Sequence, residues 1–218
     1  MQPGWRTTAR QDRSRATDRR IVAAAMDLIG KHGFDDLPVA AIARRARVSI
    51  GGLYARYRDK LALVHAVDER LVATFEAVLA RAMAKERLAD LDLAAVITVY
   101  VDTMVTYFAR HRDLVRQVVL RARSTGDPEF SARIRAFNQR AHGLLIEALL
   151  ARRDAIGHPD PTAATAFGVS LVSAAAREAV LFGEEPVRRN SARGRLLVNE
   201  LVRAYCGYLG TSISSNRP

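Results

Sequence analysis

Apolar residues recur along this chain every three to four positions, and no stretch alternates apolar and polar residues long enough to form a strand, so the pattern predicts an all-α fold. Residues 1–16 are polar, Arg-rich and without period, and they read as a flexible basic arm. Thr17 suits a helix N-cap and Asp18 suits the positive end of a helix dipole. From there Ile21, Ala25, Leu28 and Ile29 form one stripe, which predicts a first helix from Asp18 to about Lys31. Gly33 is placed to end it, with Phe34 folding back. Pro38 sits where a proline can open a helix, and Val39, Ile42, Ala43 and Ala46 predict a second helix of about two turns. Arg47-Val48-Ser49 then makes a tight connection, with Ser49 as the N-cap of a third helix over Ile50 to Tyr57. Leu53 and Tyr57 point inward. Asp59 can cap a longer fourth helix in which Leu61, Val64, Leu71, Phe75, Val78 and Ala82 recur, running to about Arg87.

Beyond it the helical period continues through Asp92 to Arg110, Asp113 to Arg123 and Pro128 to Arg153. The sharpest break in the chain is Gly157-His158-Pro159-Asp160-Pro161. From Pro161 to Ala176 no charged residue occurs and small residues prevail, so this helix should be buried on at least two sides. A loop from Gly183 to Gly194 leads to a last helix with Leu197, Leu201, Ala204, Tyr205 and Tyr208 on one stripe. The tail at 211–218 reads as disordered. In all, the pattern predicts about nine helices, with no internal repeat and no apolar run of the ~20 residues that cross a bilayer.

Charge sharpens this picture. The 218 residues carry 34 Lys and Arg against 23 Asp and Glu, a net +11, and thirteen of the basic but only six of the acidic groups lie in the first 60 positions. Such a concentration favours a polyanionic partner. Genome composition accounts for the excess of Arg over Lys but not for the N-terminal placement. The single cysteine, Cys206, excludes an intrachain disulfide, and with no signal-peptide pattern a soluble cytoplasmic protein is the expectation.

A two-turn helix, a tight turn and a second short helix inside a basic three-helix unit have the form of a helix-turn-helix, in which the first helix buttresses the second and the second enters a DNA major groove. Gly51 and Gly52 each weaken that second helix by roughly 1 kcal/mol against alanine. Close approach to a phosphate or base edge would explain them. Three-helix units without a DNA role are also common, and periodicity alone leaves both readings open.

Thr17-Asp18-Arg19-Arg20-Ile21, Ala24-Ala25, Leu28-Ile29, His32-Gly33-Phe34, Val39, Ile42-Ala43, Ala46, Val48-Ser49, Gly51, Leu53-Tyr54, Tyr57 and Lys60 resemble, in order and spacing, the N-terminal domain of TetR-type transcriptional repressors. The likeness spans Thr17 to Val67 and is most specific in VSIGGLYARYRDK. It implies a DNA-binding domain at 17–63, joined through the long fourth helix to a helical ligand-binding and dimerisation domain at 64–210. It also implies a homodimeric repressor on a palindromic operator in double-stranded DNA, released from it by a small-molecule effector. Carried over residue by residue, Ser49 and Tyr54 would bond phosphates through their hydroxyls, and Lys60 would reach one from the start of the fourth helix. Gly51 and Gly52 would offer amides or clearance. Ile50, Ala55 and Arg56 would read bases, Arg56 by a bidentate bond to guanine. Tyr57 is better read as core.

The sequence departs from the family pattern at Leu37-Pro38, where a hydroxyl usually caps the second helix, at Ala40 in place of a basic residue, at Arg47 in place of a turn glycine, and at Leu61 in place of an acid. Arg44, Arg45 and Arg47 either replace the missing phosphate contacts or form a solvated basic face. Arg6, Arg10, Arg13 and Arg15 either enter a minor groove or belong to a solvated tail.

Toward the C-terminus, Leu171, Ala174 and Ala175 beside Leu197, Leu201, Ala204, Tyr205 and Tyr208 suggest two helices per subunit forming a four-helix interface between copies. Met104, Tyr107, Phe108, Phe137 and Phe167, with His142, Arg177 or Glu178 as polar anchors, are the candidate lining for a partly apolar effector. Core packing is the competing account for each. The five histidines are scattered without metal-ligand spacing, no catalytic cluster stands out, and neither enzyme activity, metal nor cofactor is expected. The alternative is an all-helical small-molecule-binding protein or enzyme with no sequence-specific DNA role.

Overall fold

The computed structural model describes residues 5–124, 126–188 and 191–211, without the side chains of 5–11 and 13. Among the described residues the chain forms ten α-helices and one 3-10 turn, and no strand. The extra helix relative to the predicted nine arises where the expected fourth helix breaks. The chain divides into two compact units, one of residues 1–73 with 113–124, the other of 74–112 with 125–218. This division falls within the fourth helix and assigns a later helix to the N-terminal unit, which a linear reading of 64–210 does not anticipate.

In the first unit, α1 (Trp5–His32) begins twelve residues before Thr17, so residues 5–16 are helical where a flexible arm is expected. Nothing between Trp5 and Ile29 breaks a helix, and a helix nucleated by the apolar stripe extends through such residues at little further cost. Thr17, expected as a cap, lies in mid-helix and accepts a hydrogen bond from Arg20 at 3.1 Å. The side chains of Arg6, Arg10 and Arg13, and the tail at 212–218, lie outside the described residues. Ile21, Ala25 and Ile29 of α1 are fully buried, and α1 packs on α2 (Val39–Ala46), which in turn packs on α3 (Ile50–Tyr54). The unit is closed by the first part of α4 (Lys60–Ala82) and by α7 (Arg112–Ser124), whose Arg121 guanidinium lies 5.4 Å from the centre of the Phe34 ring.

The turn after α2 has a specific strain. Arg47, its C-cap, adopts φ 56° and ψ 50°, and it is the one non-glycine residue at positive φ among those described. Its N–H closes the helix on the carbonyls of Ala43 and Arg44. A left-handed cap favours glycine because a Cβ crowds the following carbonyl. Arg47→Gly is therefore expected to raise stability by about 0.5–1 kcal/mol. A denaturant titration of the intact chain checks this, and a lower midpoint would mean that the Arg47 side chain holds the turn.

In the second unit α6 (Leu93–Arg110) is the central helix, packed against α8 (Pro128–Leu150), α9 (Pro161–Leu181) and α10 (Ala192–Leu209). Val96, Ile97 and Val101 are fully buried, and Tyr100 is nearly so. Helix starts follow their side-chain caps. Asp92 accepts from the Ala95 amide at 2.7 Å, Asp127 from Phe130 at 3.0 Å, Asp160 from Ala163 at 3.0 Å and Ser191 from Gly194 at 3.0 Å. The expected run of the fourth helix to Arg87 instead stops at Ala82, and a separate turn α5 (Lys85–Leu88) follows. Beyond that break the Arg152 guanidinium donates to the carbonyls of Leu88 and Leu91 and to that of Ala148, tying α5 to the end of α8. Arg112 likewise donates to the Val180 carbonyl at 2.9 Å and the Gly183 carbonyl at 3.4 Å, closing the C-terminus of α9.

Contrary to the sequence expectation, α6 and α9 are by length and composition apolar enough to cross a membrane. About half of each such window is buried inside the protein, and both helices pack on each other and on α10, which is the setting of core helices.

Candidate nucleic-acid interface and effector site

α3 opens where Ser49, in extended conformation, accepts from the Gly52 amide through Oγ at 2.9 Å. It is shorter than the predicted Ile50–Tyr57. It ends at Tyr54, and tight bonds from the Arg56 and Tyr57 amides to the Leu53 carbonyl, both 3.0 Å, replace the helical run. Two adjacent glycines leave too little helix stability to carry it further. Arg56 consequently lies on the turn beyond the helix rather than on the helix itself.

The inward face is as predicted: Leu53 and Tyr57 are buried. The outward face is apolar and bare, with Ile50 51% and Tyr54 44% exposed and Gly51 between them. A Cβ at Gly51 would meet nothing within 4 Å, so no neighbour inside the protein demands glycine there. At Gly52 it would stand 3.1 Å from the Ser49 hydroxyl. Ala55, Arg44 and Arg47 are exposed on the same unit. Arg45 pairs with Asp27 at 3.1 Å, which fits the reading of a solvated face for that residue. Lys60 donates from Nζ to the Asp35 carbonyl. Pro38 provides α2 with no side-chain cap, and Leu37 is in the core, so the hydroxyl contact usual at that corner has no counterpart here.

Two residues of α1 bracket this assembly, and sequence reasoning did not single them out for that role. Arg20 donates from Nε to the Ala46 carbonyl at 3.1 Å, at the end of α2. Asp18 accepts from the Tyr57 hydroxyl at 3.2 Å and faces Arg56 Nε at 3.7 Å. Burial, with the Asp18 carboxylate next, pushes the Tyr57 phenol up to about 12. Both partners are remote in sequence, and no local pattern announces them.

In the second unit the candidate lining separates. Phe75 of α4 stacks on Tyr107, with centroids 4.3 Å apart, and lies 5.5 Å from both Phe108 and Phe137. Met104 is buried on α6. Phe75 is thus a member that the sequence reading assigned only to a helix stripe. His142 is half-buried, and burial together with the nearby Arg177 guanidinium holds its imidazole below the ordinary value, favouring the neutral ring. Phe167 does not join this cluster. It is 56% exposed on α9 and lies 5.4 Å from the Tyr208 ring of α10. Two neighbouring grooves of about 420 and 500 Å³, lined by α4 and α8 with α5 adjoining the first, include none of the candidate effector residues.

The candidate interface stripe also divides. Leu201 and Tyr205 are buried within the chain, and Tyr205 donates to the Thr165 carbonyl at 2.6 Å. Leu171, Ala174, Ala175, Ala204 and Tyr208 are exposed, and Leu197 is half-buried. Leu196, which the stripe omitted, is among the most exposed large apolar residues. At about 100° per residue Leu201 and Tyr205 turn toward the inner face, while Leu197, Ala204 and Tyr208 lie within about 40° of one another at its rim.

Comparison with known proteins adds to this geometry. Residues 21–67 match the sequence model of bacterial regulatory proteins, tetR family, and residues 92–209 match that of a tetracyclin repressor-like C-terminal domain. No curated protein matches the chain. Among solved structures, a transcriptional regulator from Rhodococcus sp. RHA1 is similar at 19% identity and a TM-score of 0.68, covering 90% of this chain and 98% of its own. A tetR-family regulatory protein from the same source is similar at 20% identity and 0.67, covering 90% and 98%. A TetR transcription regulator from Haloarcula marismortui follows at 17% and 0.68, covering 89% and 96%. At such identities the structural likeness speaks for the fold.

Proposed function

Because this chain belongs to the tetR family of bacterial regulatory proteins, we propose that it is a homodimeric repressor that holds a palindromic operator and is released from it by a small, partly apolar effector. That it is a DNA-binding transcriptional regulator and not an enzyme follows from the family itself. The operator, the effector and the sense of regulation are the reading offered here. The domain assignment at 17–63 and 64–210 belongs to the same reading.

The observation that carries it is the outward face of α3. Ile50, Gly51 and Tyr54 present a bare helix surface on a buried scaffold, with exposed Arg44, Arg47 and Arg56 around it. In this reading Ser49, Tyr54 and Lys60 bond phosphates, Gly51 and Gly52 allow close approach, and Ile50, Ala55 and Arg56 meet base edges. The exposed apolar residues of α9 and α10, Phe167 and Leu171 with Leu196 and Tyr208, support pairing of two copies. A two-fold pair would set its recognition helices roughly 34–36 Å apart, one turn of DNA. The aromatic group around Phe75, with His142 and Arg177 as polar anchors, supports an effector with an apolar body. Release requires that the effector bind more tightly to a conformation whose two heads no longer match the operator.

Footprinting on the DNA flanking the gene tests the proposal. The intact chain is expected to protect a symmetric site. Arg56→Ala should weaken specific binding by about 1–3 kcal/mol and relax one base position, whereas Tyr54→Phe should weaken binding evenly across sequences. A genuine footprint that neither substitution alters would overturn the contact assignment while leaving the family untouched.

A further inference from the structure

We propose that Asp18 of α1 is a specificity-determining residue, an internal carboxylate that holds the Arg56 guanidinium when the duplex offers no matching base. This rests on the reading of Arg56 as a DNA contact. The guanidinium is held within the protein by the charge of Asp18, whose Oδ1 lies 3.7 Å from Nε, and by a hydrogen bond from NH1 to the Gly52 carbonyl at 3.4 Å. Asp18 is itself placed by the Tyr57 hydroxyl, which donates to the same Oδ1 at 3.2 Å from a mostly buried ring. The carboxylate therefore stands at a defined point beside the end of the recognition helix, although it lies 38 residues earlier in the chain.

The consequence is a competition. On any duplex, moving Arg56 to a phosphate means giving up its charge pair and leaving a carboxylate near the DNA backbone, so the net electrostatic gain is small. A guanine at the right position offers two acceptors in fork geometry, which a single carboxylate oxygen at 3.7 Å does not match. Asp18 thus lowers the affinity for non-cognate DNA more than for the operator. Both groups are partly solvated, and the effect is of the size of a surface ion pair.

The test compares the intact chain with Asp18→Asn, which keeps the size of the side chain and its ability to accept from Tyr57. Binding to the footprinted duplex and to a scrambled duplex of equal length is measured over a range of salt. Asp18→Asn is expected to tighten binding to the scrambled duplex by about two- to fivefold, to steepen its log–log salt slope by about one, and to reduce the ratio of specific to non-specific affinity. In an Arg56→Ala background the same substitution should change neither quantity beyond a minor repulsion from the carboxylate. Tyr57→Phe, which removes the hydroxyl that places Asp18 but keeps its charge beside Arg56, should move the scrambled-duplex slope in the same direction as Asp18→Asn but by less. Unaltered affinities and slope in Asp18→Asn, or an equal gain with and without Arg56, would overturn the assignment. A wild-type chain that binds no duplex specifically would instead overturn the functional reading beneath it.

Discussion

Gly168→Ala is expected to destabilise the protein by about 3 kcal/mol. A Cβ built at Gly168 of α9 would stand 1.9 Å from Cε2 and 2.4 Å from Cδ2 of Tyr205 on α10, far inside the contact distance of non-bonded carbons. The ring has little room to retreat, since it is buried on all sides and its hydroxyl is bonded to the Thr165 carbonyl at 2.6 Å. Either the two helices separate or the ring turns away and gives up that bond. Overpacking of this kind costs about 1–3 kcal/mol or more, and the lost hydrogen bond adds about 1. For a chain of this length the melting temperature should fall by roughly 6–12 °C, measurable by calorimetry. Pairing Gly168→Ala with Tyr205→Leu should recover part of the loss, because the smaller side chain vacates the contested space. A melting temperature within a degree or two of the parent would show that α9 and α10 are not held at this approach.

Operator affinity should fall about 10⁴-fold between 50 and 200 mM salt if two copies together neutralise about 8 phosphates, a log–log slope near −7. The expectation rests on charge rather than on any one contact. The first 60 residues hold thirteen basic groups against six acidic ones, and Arg44, Arg47 and Arg58 are exposed around the recognition helix. Several of these charges are already paired within the unit, Arg45 and Lys31 with Asp27 and Arg58 with Asp59. Such exposed pairs are weak and exchange readily for phosphate. Fluorescence anisotropy with a labelled operator at several salt concentrations measures the slope. A flat response would mean that the basic N-terminal surface does not face the DNA backbone.

The helix-turn-helix was legible in the sequence because its signals are local. The stripe Val39, Ile42, Ala43 and Ala46, the cap at Ser49 and the inward pair Leu53 and Tyr57 each depend on residues within one or two turns, and the structure has them in those roles. The same locality explains the starts expected at Asp92, Pro128 and Pro161, where the carboxylate of Asp92, Asp127 or Asp160 meets an amide three residues on. The arm expected over 1–16 is helical from Trp5 onward because absence of an apolar period is weak evidence against a helix that a neighbouring segment can nucleate. The third helix is shorter than its pattern predicts, since the inward position of Tyr57 suits a closing turn as well as a second helical turn.

The sequence by itself determined the fold class, the family resemblance and the outward set Ile50, Gly51 and Tyr54, because helical period and capping act over a few residues. Tertiary structure alone decided that α4 stops at Ala82 with Arg152 on the carbonyls beyond it, that Phe75 rather than Phe167 joins Tyr107 and Phe137, and that Tyr205 packs on Gly168 instead of facing outward. It also decided that Asp18 stands beside Arg56. Each of these joins residues from 30 to more than 60 positions apart, and such meetings depend on how helices cross, a quantity that no periodicity along one helix contains.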